Sequence, residues 1–164
     1  MRDILYAPWR SGYVAGKKQE ECVFCDISKH SDQDDEHQVL YRDEICFVVM
    51  NRYPYTPAHF MIIPHKHTDK LEDLSLEAWQ HMSTLAYKGV AMLKEGFGAD
   101  GVNIGMNLGA AAGAGIAEHI HLHLVPRWSR DTNFITTTAN TRVYSSDFEK
   151  IYMRLKKLVG EYFG

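Results

Sequence analysis

The sequence predicts an α+β domain in which a largely antiparallel sheet of five strands packs against two helices. Five short segments are rich in apolar and β-branched residues, and two longer segments repeat apolar residues at helical spacing. Their order is three strands, a helix, two strands and a terminal helix, without a repeat or an interdomain linker. Because the chain has 164 residues, we expect one domain over 1–164 with an N-terminal arm of about 1–20.

Each predicted strand is an apolar run of ordinary strand length. The five runs are 38–43, 45–51, 59–66, 101–108 and 119–127. The acidic stretch "HSDQDDEH" at 30–37 is predicted to form a loop before the first of them.

Two helices complete the prediction. The first begins after a Ser75 cap, extends to about Glu95 and ends at Gly96. The second begins with a capping box from Ser146 to Glu149. Both carry their apolar residues at helical spacing, which indicates faces that pack in the core.

Composition excludes several classes of function. The chain is 45% hydrophobic and 24% charged, with a formal net charge of -3, which disfavours nucleic acid as a partner. The start "MRDILYAPWRSG" lacks the apolar core of a signal peptide, and the apolar runs are too short to span a bilayer. Three cysteines are too few for a disulfide framework, so we expect a cytoplasmic protein without a membrane partner, and Cys46 in its core.

The stretch "EHIHLHLVPRW" at 118–128 places His119, His121 and His123 at alternate positions. On a strand, alternate side chains point to the same face, about 6.8 Å apart, while the intervening apolar residues enter the core. Two chemistries fit such a face: a metal cage, because imidazoles bind zinc, and a nucleophile, because imidazole attacks phosphorus.

The residues before this strand favour the second chemistry. "NLGAAAGAGIAE" at 107–118 is a run of Gly and Ala, and such a loop lets backbone N–H groups approach an anion. A flexible connection between strands explains the same composition equally well. Beside the histidines and Arg127, however, the loop suggests a phosphate held next to a nucleophilic imidazole that is largely unprotonated near neutral pH.

At this point the motifs carry a family resemblance. "HIHLHLV" resembles the signature of the histidine triad (HIT) superfamily of nucleotide hydrolases and transferases, in which histidines alternate with apolar residues. "NRYPYTPAHFMIIPHKH" at 51–67 resembles the family's ribose-binding strand and the strand after it. With "LYAPWR", "CVFC" and "EHIHLHLVPRWSRDTNF", the chain is most similar to a bacterial branch that includes diadenosine tetraphosphate phosphorylases, related to the fragile histidine triad hydrolases. The resemblance covers nearly the whole chain and implies a single HIT-like domain.

The resemblance also implies roles for individual residues. His121 is the nucleophile that becomes nucleotidylated, with Nδ1–H given to a backbone carbonyl and Nε2 free. His123 holds the phosphate and the leaving group, and His119 completes the catalytic triad. The positions implied to bind the nucleotide are Asn51, His59, Met61, Phe24, Ile27, Asn107, Gly113, Ala114 and Gly115. An ordinary core role fits Phe24, Ile27 and Met61 about as well, and Trp9 and Arg10 fit a structural arm better than an active-site contact.

One position departs from the family pattern. Many members have Ser or Thr three residues before the first triad histidine, where the hydroxyl bonds the phosphate or assists the leaving group. This chain has Ile116, which cannot donate a hydrogen bond. The amides of Gly113, Ala114 and Gly115 are the candidates to replace that contact.

Cys22 and Cys25 form a CxxC motif, which alone fits a redox pair, half of a zinc site or two buried thiols. In several superfamily members such a pair binds zinc together with a histidine after the third strand and the first triad histidine. The matching residues are His67 and His119, with His65 as the alternative to His67. Two thiolates and two imidazoles would form a structural zinc site.

Taken together, we expect a nucleotidyl hydrolase or transferase that acts on dinucleoside polyphosphates through a nucleotidyl-histidine. The alternative is a nucleotide-binding or sensing protein with little activity; a zinc hydrolase with all three histidines on one metal is disfavoured, because it leaves Asn51 and the Gly/Ala loop unexplained. We also expect a homodimer, because Leu85, Tyr87 and Met92 lie off the main stripe of the 75–95 helix and the 101–108 strand is a plausible sheet edge.

Overall fold

The computed structural model describes residues 22–132, 134–139 and 146–164, so the expectations for Trp9, Arg10 and the N-terminal arm lie outside the described residues. The sheet is antiparallel throughout, with the strand order β1-β2-β3-β5-β4. Its strands are β1 Val39–Arg42, β2 Cys46–Met50, β3 Phe60–Pro64, β4 Gly101–Gly105 and β5 Leu122–Arg127. All five fall within the predicted segments, which confirms the predicted α+β architecture.

The described residues form two long helices and two short ones. These are α1 Val23–Lys29, α2 Leu76–Ala91, α3 Phe134–Ala139 and α4 Phe148–Tyr162. Helix α2 begins at the predicted cap, where Ser75 Oγ accepts the N–H of Ala78 at 3.1 Å, and it continues into a π-helical turn, Met92–Gly96. The short helices α1 and α3 were not predicted.

The cap of α4 is one residue later than predicted. Asp147 Oδ1 accepts the backbone N–H of Glu149 at 3.0 Å and of Lys150 at 3.1 Å, so Asp147, and not Ser146, is the N-cap. The carboxylate accounts for the difference, because a charged acceptor favours the positive end of the helix dipole.

The two faces of the sheet bury different elements. Helices α2 and α4 cover one face, whose core includes Phe60, Leu122 and Leu124. Gly89 of α2 permits this close approach, because a Cβ there would lie 2.9 Å from Leu124 Cδ2. Helix α1 covers the other face in a smaller apolar cluster: Phe24, Ile27, Val39, Phe47, Val49, Met61 and Ile63.

The surface expected to support a dimer is only partly present. Leu85 and Met92 are 2% and 0% exposed, because α2 packs against both the sheet and α4, so their interpretation as surplus surface residues was wrong. Tyr87 is 80% exposed, and β4 is an edge strand on which Ile104 is half exposed, as expected.

Cys46 is fully buried, as predicted. Within the described ranges, no helix combines the length and apolar character needed to cross a membrane.

Candidate active site

Of the three alternating histidines, His123 lies in β5, and His119 and His121 precede the strand. Strand β5 begins at Leu122, directly after His121. The predicted strand was too long at this end, because the N–H of Ile120 bonds the carbonyl of Thr68 at 2.9 Å instead of a strand partner. His121 and His123 nevertheless share a face, with ring centroids 4.8 Å apart, while Leu122 and Leu124 enter the core on the other face.

The backbone determines the tautomer of His121. Its Nδ1 lies 2.9 Å from the carbonyl oxygen of His119, so Nδ1–H is the donor and Nε2 carries the lone pair. The ring is buried, with 6% of its surface exposed, and packs against the Phe24 ring at a centroid distance of 5.2 Å. This is the arrangement that a nucleophilic imidazole requires.

His59 determines the tautomer of His123. The backbone N–H of Tyr55 donates to His59 Nδ1 at 3.1 Å, so the His59 proton is on Nε2. That Nε2–H donates to His123 Nδ1 at 2.9 Å, which leaves the proton of neutral His123 on its own Nε2. The two triad imidazoles therefore present different groups: a lone pair on Nε2 of His121 and an N–H on Nε2 of His123.

Burial keeps these imidazoles neutral. Desolvation, followed by repulsion from the neighbouring His123 and His121, lowers the pKa of His59 to about 3. Desolvation and the adjacent His121 lower the pKa of His123 to about 4. Burial also lowers the pKa of His121, although its bond to the His119 carbonyl opposes the shift. At neutral pH, Nε2 of His121 is thus free to attack an electrophile.

The apolar residues expected at the nucleotide line the site on the α1 side. Phe24 touches the His121 ring, and Met61 on β3 is the strand partner of His123 on β5. Ile27 belongs to the same apolar cluster. Asn51 follows β2; its Oδ1 accepts the N–H of Tyr53 at 2.9 Å, and its Nδ2 lies 3.7 Å from Met61 Sδ. The structure therefore brings these four predicted residues to one side of the histidines.

The other residues predicted to bind the nucleotide do not belong to this group on the α1 side. His59 is fully buried behind His123. Asn107 lines a cleft of about 220 Å³ beside His123, together with Tyr55 and residues of β4. The loop of Gly113, Ala114 and Gly115 follows a short 3₁₀ turn, Ala110–Ala112. Gly113, directly after this turn, has a positive φ of 90°, which an L-residue rarely adopts.

Ile116 packs against the apolar cluster under α1. Its aliphatic side chain is therefore explained by packing, and a polar residue there would disturb that cluster.

Four predicted metal ligands converge at the N-terminus of α1. The ligand atoms of Cys22, Cys25, His67 and His119 all lie within 4.8 Å of one another. Cys25 Sγ is 3.1 Å from His67 Nδ1, and Cys22 Sγ is 3.5 Å from His119 Nδ1. Atoms about 2.0–2.3 Å from a common tetrahedral centre have separations of this size.

The histidines of this cluster are oriented for a metal. His119 Nε2–H donates to the carbonyl of Pro64 at 2.8 Å, so Nδ1 faces the thiols without a proton. Burial lowers the pKa of His119 to about 4. His65 is engaged elsewhere, by Ser28 Oγ at 2.7 Å and the carbonyl of Asp43 at 2.9 Å. Of the two alternatives, His67 is thus the one that reaches the thiols.

Several contacts at the site could not be predicted from the sequence. Tyr55 supplies the N–H that orients His59 and stacks its ring on that histidine at 4.8 Å, yet nothing in "NRYPYTP" indicates either contact. The pairing of His59 with His123 depends on β3 lying next to β5, a neighbour relation that strand patterns do not specify. Among the described residues, the four-ligand cluster includes His119 but neither of the other triad histidines.

Known proteins resemble this chain in sequence. The family model of the HIT domain matches residues 32–130. A curated relative, AP-4-A phosphorylase of Mycobacterium tuberculosis H37Rv, is 34% identical over 148 residues, which cover 85% of this chain and 75% of the relative. The asymmetrical bis(5'-nucleosyl)-tetraphosphatase of Schizosaccharomyces pombe is 31% identical over 94 residues, 57% of this chain and 51% of that protein.

The chain also resembles a solved structure of a histidine triad family protein. The zinc-bound histidine triad family protein of Mycobacterium smegmatis superposes with a TM-score of 0.70 at 31% identity, covering 86% of this chain and 94% of that one. The likeness includes the five-stranded antiparallel sheet and its helices.

Proposed function

The chain belongs to the HIT domain family, and from that premise we propose that it is an enzyme that transfers a nucleotidyl group from a dinucleoside polyphosphate, through His121, to water or phosphate. The observation that carries this proposal is the unprotonated Nε2 of His121, held by the His119 carbonyl beside the N–H of His123. The names of the two relatives, a phosphorylase and a tetraphosphatase, support the substrate class.

The first step forms a bond between His121 Nε2 and the α-phosphorus, and it breaks the bond from that phosphorus to the bridging oxygen of the leaving nucleotide. His123 Nε2–H bonds the phosphate and stabilises the charge that develops on the leaving oxygen. In the second step, water or phosphate attacks the same phosphorus, an attacking water gives its proton to solvent, and His121 leaves with its Nε2 lone pair restored. Because the buried imidazole of His121 is neutral, its Nε2 can attack phosphorus without a separate general base to deprotonate it.

The remaining site residues bind the nucleotide in this proposal. Asn51 bonds the ribose, while Phe24, Ile27 and Met61 form the apolar wall of the base pocket. The phosphates lie against the loop of Asn107, Gly113, Ala114 and Gly115, whose backbone N–H groups replace the hydroxyl that Ile116 cannot provide.

We propose a structural zinc ion at Cys22, Cys25, His67 and His119. The fit is supported by the donor set and by His119, whose Nε2 is occupied by the Pro64 carbonyl and whose Nδ1 faces the thiols. A closed set of four protein ligands leaves no position for substrate, so the metal would hold α1 against β5 and take no part in the phosphorus chemistry. Thiolate ligands also suit a reducing compartment, and we place the enzyme in the cytoplasm.

We further propose that the enzyme is a homodimer. Tyr87 on α2 and Ile104 on the open edge β4 are the exposed apolar residues that support this interface. Tyr87→Glu is expected to shift light scattering from twice the chain mass towards the monomer. Met153→Glu is the matched control, because Met153 is 62% exposed and belongs to α4, which is neither of these two elements. A monomeric wild type, or equal effects of the two variants, would refute the assignment.

Incubation with diadenosine tetraphosphate, with and without inorganic phosphate, tests the function. ADP and ATP formed only with phosphate identify a phosphorylase, whereas AMP and ATP formed in water identify an asymmetrical hydrolase. His121→Gly is the control that separates this activity from a contaminant. Nucleotide binding without either product would refute the enzyme proposal in favour of a binding or sensing protein.

A further inference from the structure

A second group of potential metal ligands lies at the turn between β1 and β2. The side chains of Asp43, Cys46 and His81 bring a carboxylate oxygen, a thiol sulfur and an imidazole nitrogen within 4.8 Å of one another. Asp43 belongs to the turn, Cys46 is the first residue of β2, and His81 lies on α2. Because they come from three different elements, the tertiary fold itself holds them together.

The turn fixes the direction of the carboxylate. Asp43 Oδ1 accepts the backbone N–H of Ile45 at 2.8 Å and of Cys46 at 2.9 Å. The second oxygen, Oδ2, therefore points towards the cluster, where His81 Nε2 lies 2.6 Å away. Rotation of the carboxylate would break both bonds to the turn, so this ligand is already in place before any cation arrives.

The three groups form a site that is closed on one side and open on the other. The Cys46 side chain is fully buried and forms the floor. The side chains of His81 and Asp43 are 32% and 20% exposed, so a cation could enter between them from solvent. A fourth coordination position would face that opening and take water.

The ligand types determine which cation fits. Magnesium and calcium prefer sets of oxygen ligands, and a thiol with an imidazole does not suit them. Sulfur, nitrogen and oxygen together suit zinc and its spectroscopic substitute cobalt(II). We propose that Asp43, Cys46 and His81 form a second site for a zinc-type divalent cation, separate from the four-residue cluster and of lower affinity, because it has three protein ligands.

Binding has a defined proton balance and a structural consequence. The cation replaces the proton on the Cys46 thiol and the proton between His81 and Asp43, and these protons pass to solvent. The cation then links α2 to the β1–β2 turn, which are otherwise joined here by the His81–Asp43 contact. Occupancy is expected to raise the melting temperature, and above the dissociation constant the rise grows with the logarithm of the free cation concentration.

Cobalt(II) provides the test, because a cobalt–thiolate bond absorbs light and the chain has only three cysteines. Full-length wild type and His81→Gln are titrated with cobalt(II) without nucleotide, so the result is independent of the proposed enzymatic function. We expect wild type to bind one equivalent more than His81→Gln, with a matching loss of thiolate-to-cobalt absorption in the variant. His30→Gln is the control, since His30 is also paired with a carboxylate, Asp26, but lies outside both clusters.

A second variant tests the thiol directly. Cys46→Ala is expected to lose the same equivalent while the His81–Asp43 pair remains. Equal cobalt uptake and absorption by wild type and His81→Gln would overturn the proposal. So would retention of the extra equivalent by Cys46→Ala, because the cation would then be held by some other set of ligands. The difference between variants measures this site alone, whatever the occupancy of the four-residue cluster.

Discussion

Replacement of His59 tests how the active site is held together, because this residue is buried and orients His123 from behind. His59→Leu removes the acceptor for the Tyr55 N–H at 3.1 Å and the donor to His123 Nδ1 at 2.9 Å. A buried polar group left without its partner costs about 1–3 kcal/mol. Leucine is similar in size, so a cavity adds little. Tyr55 is 51% exposed, so only the His123 side bears the full penalty and the loss amounts to roughly 2 kcal/mol. For a chain of this length, that lowers the melting temperature by on the order of 5 °C.

The same substitution affects turnover differently from substrate binding. Without the His59 donor, His123 can move its proton to Nδ1 and lose the N–H directed at the phosphate. A hydrogen bond to a charged group contributes about 1.5–3 kcal/mol, so kcat falls by about 10- to 100-fold. KM is expected to change less than kcat, because His59 is fully buried and meets Asn51, the residue proposed for the ribose, only through a long contact of 3.4 Å between Nε2 and Nδ2.

Thermal unfolding and steady-state kinetics with diadenosine tetraphosphate measure the two effects. His59→Gln is the matched variant, since its amide can accept from Tyr55 with Oε1 and donate to His123 with Nε2. We expect it to recover much of the lost kcat and stability. Wild-type kcat in His59→Leu, or equal kcat in the two variants, would refute the positioning role.

Three further predictions concern the nucleophile, the metal and pH. His121→Gly abolishes turnover and leaves nucleotide affinity within about tenfold, and acid-quenched wild type carries an acid-labile nucleotide adduct on His121; turnover in the metal-free variant would disprove the assignment. Cys22→Ser loses one equivalent of tightly bound zinc by metal analysis and melts at a lower temperature, whereas active wild type purified without zinc and indifferent to chelators would contradict the site. Because the folded pKa values of His59 and His123 are about 3 and 4, below the ordinary 6.5, the unfolded chain takes up protons first on acidification. The urea midpoint should therefore fall as pH decreases from about 6.5 to 4 and fall less steeply in His59→Gln; a constant midpoint over that range would count against the buried neutral imidazoles.

The sequence predicted those parts of the fold that local chemistry determines. Apolar periodicity indicated all five strands, and the hydroxyl of Ser75 indicated the start of α2. The motif of Cys22 and Cys25 indicated half of the metal cluster, and the family resemblance indicated His67 and His119 as the other half. Each of these signals is a residue type at a fixed spacing, and such patterns are visible without knowledge of the tertiary structure.

The features that were missed depend on tertiary neighbours. Helix α1 has seven residues and lacks a side-chain cap, so its stability comes from Phe24 and Ile27 packing on the sheet. Leu85 and Met92 were misplaced because a pattern along one helix does not reveal that a second helix, α4, covers its other side.

The acceptor that orients His121 is a main-chain carbonyl, and this has a consequence for how the enzyme can change during evolution. Where a side-chain carboxylate orients a histidine, one substitution removes the acceptor. Here any residue at position 119 would still present a carbonyl as long as the chain keeps its path. Substitutions can therefore remove the imidazole of His119 from the thiol cluster while the tautomer of His121 persists. The metal ligands of this chain can thus diverge independently of the nucleophile, provided that packing alone maintains the course of the backbone before β5.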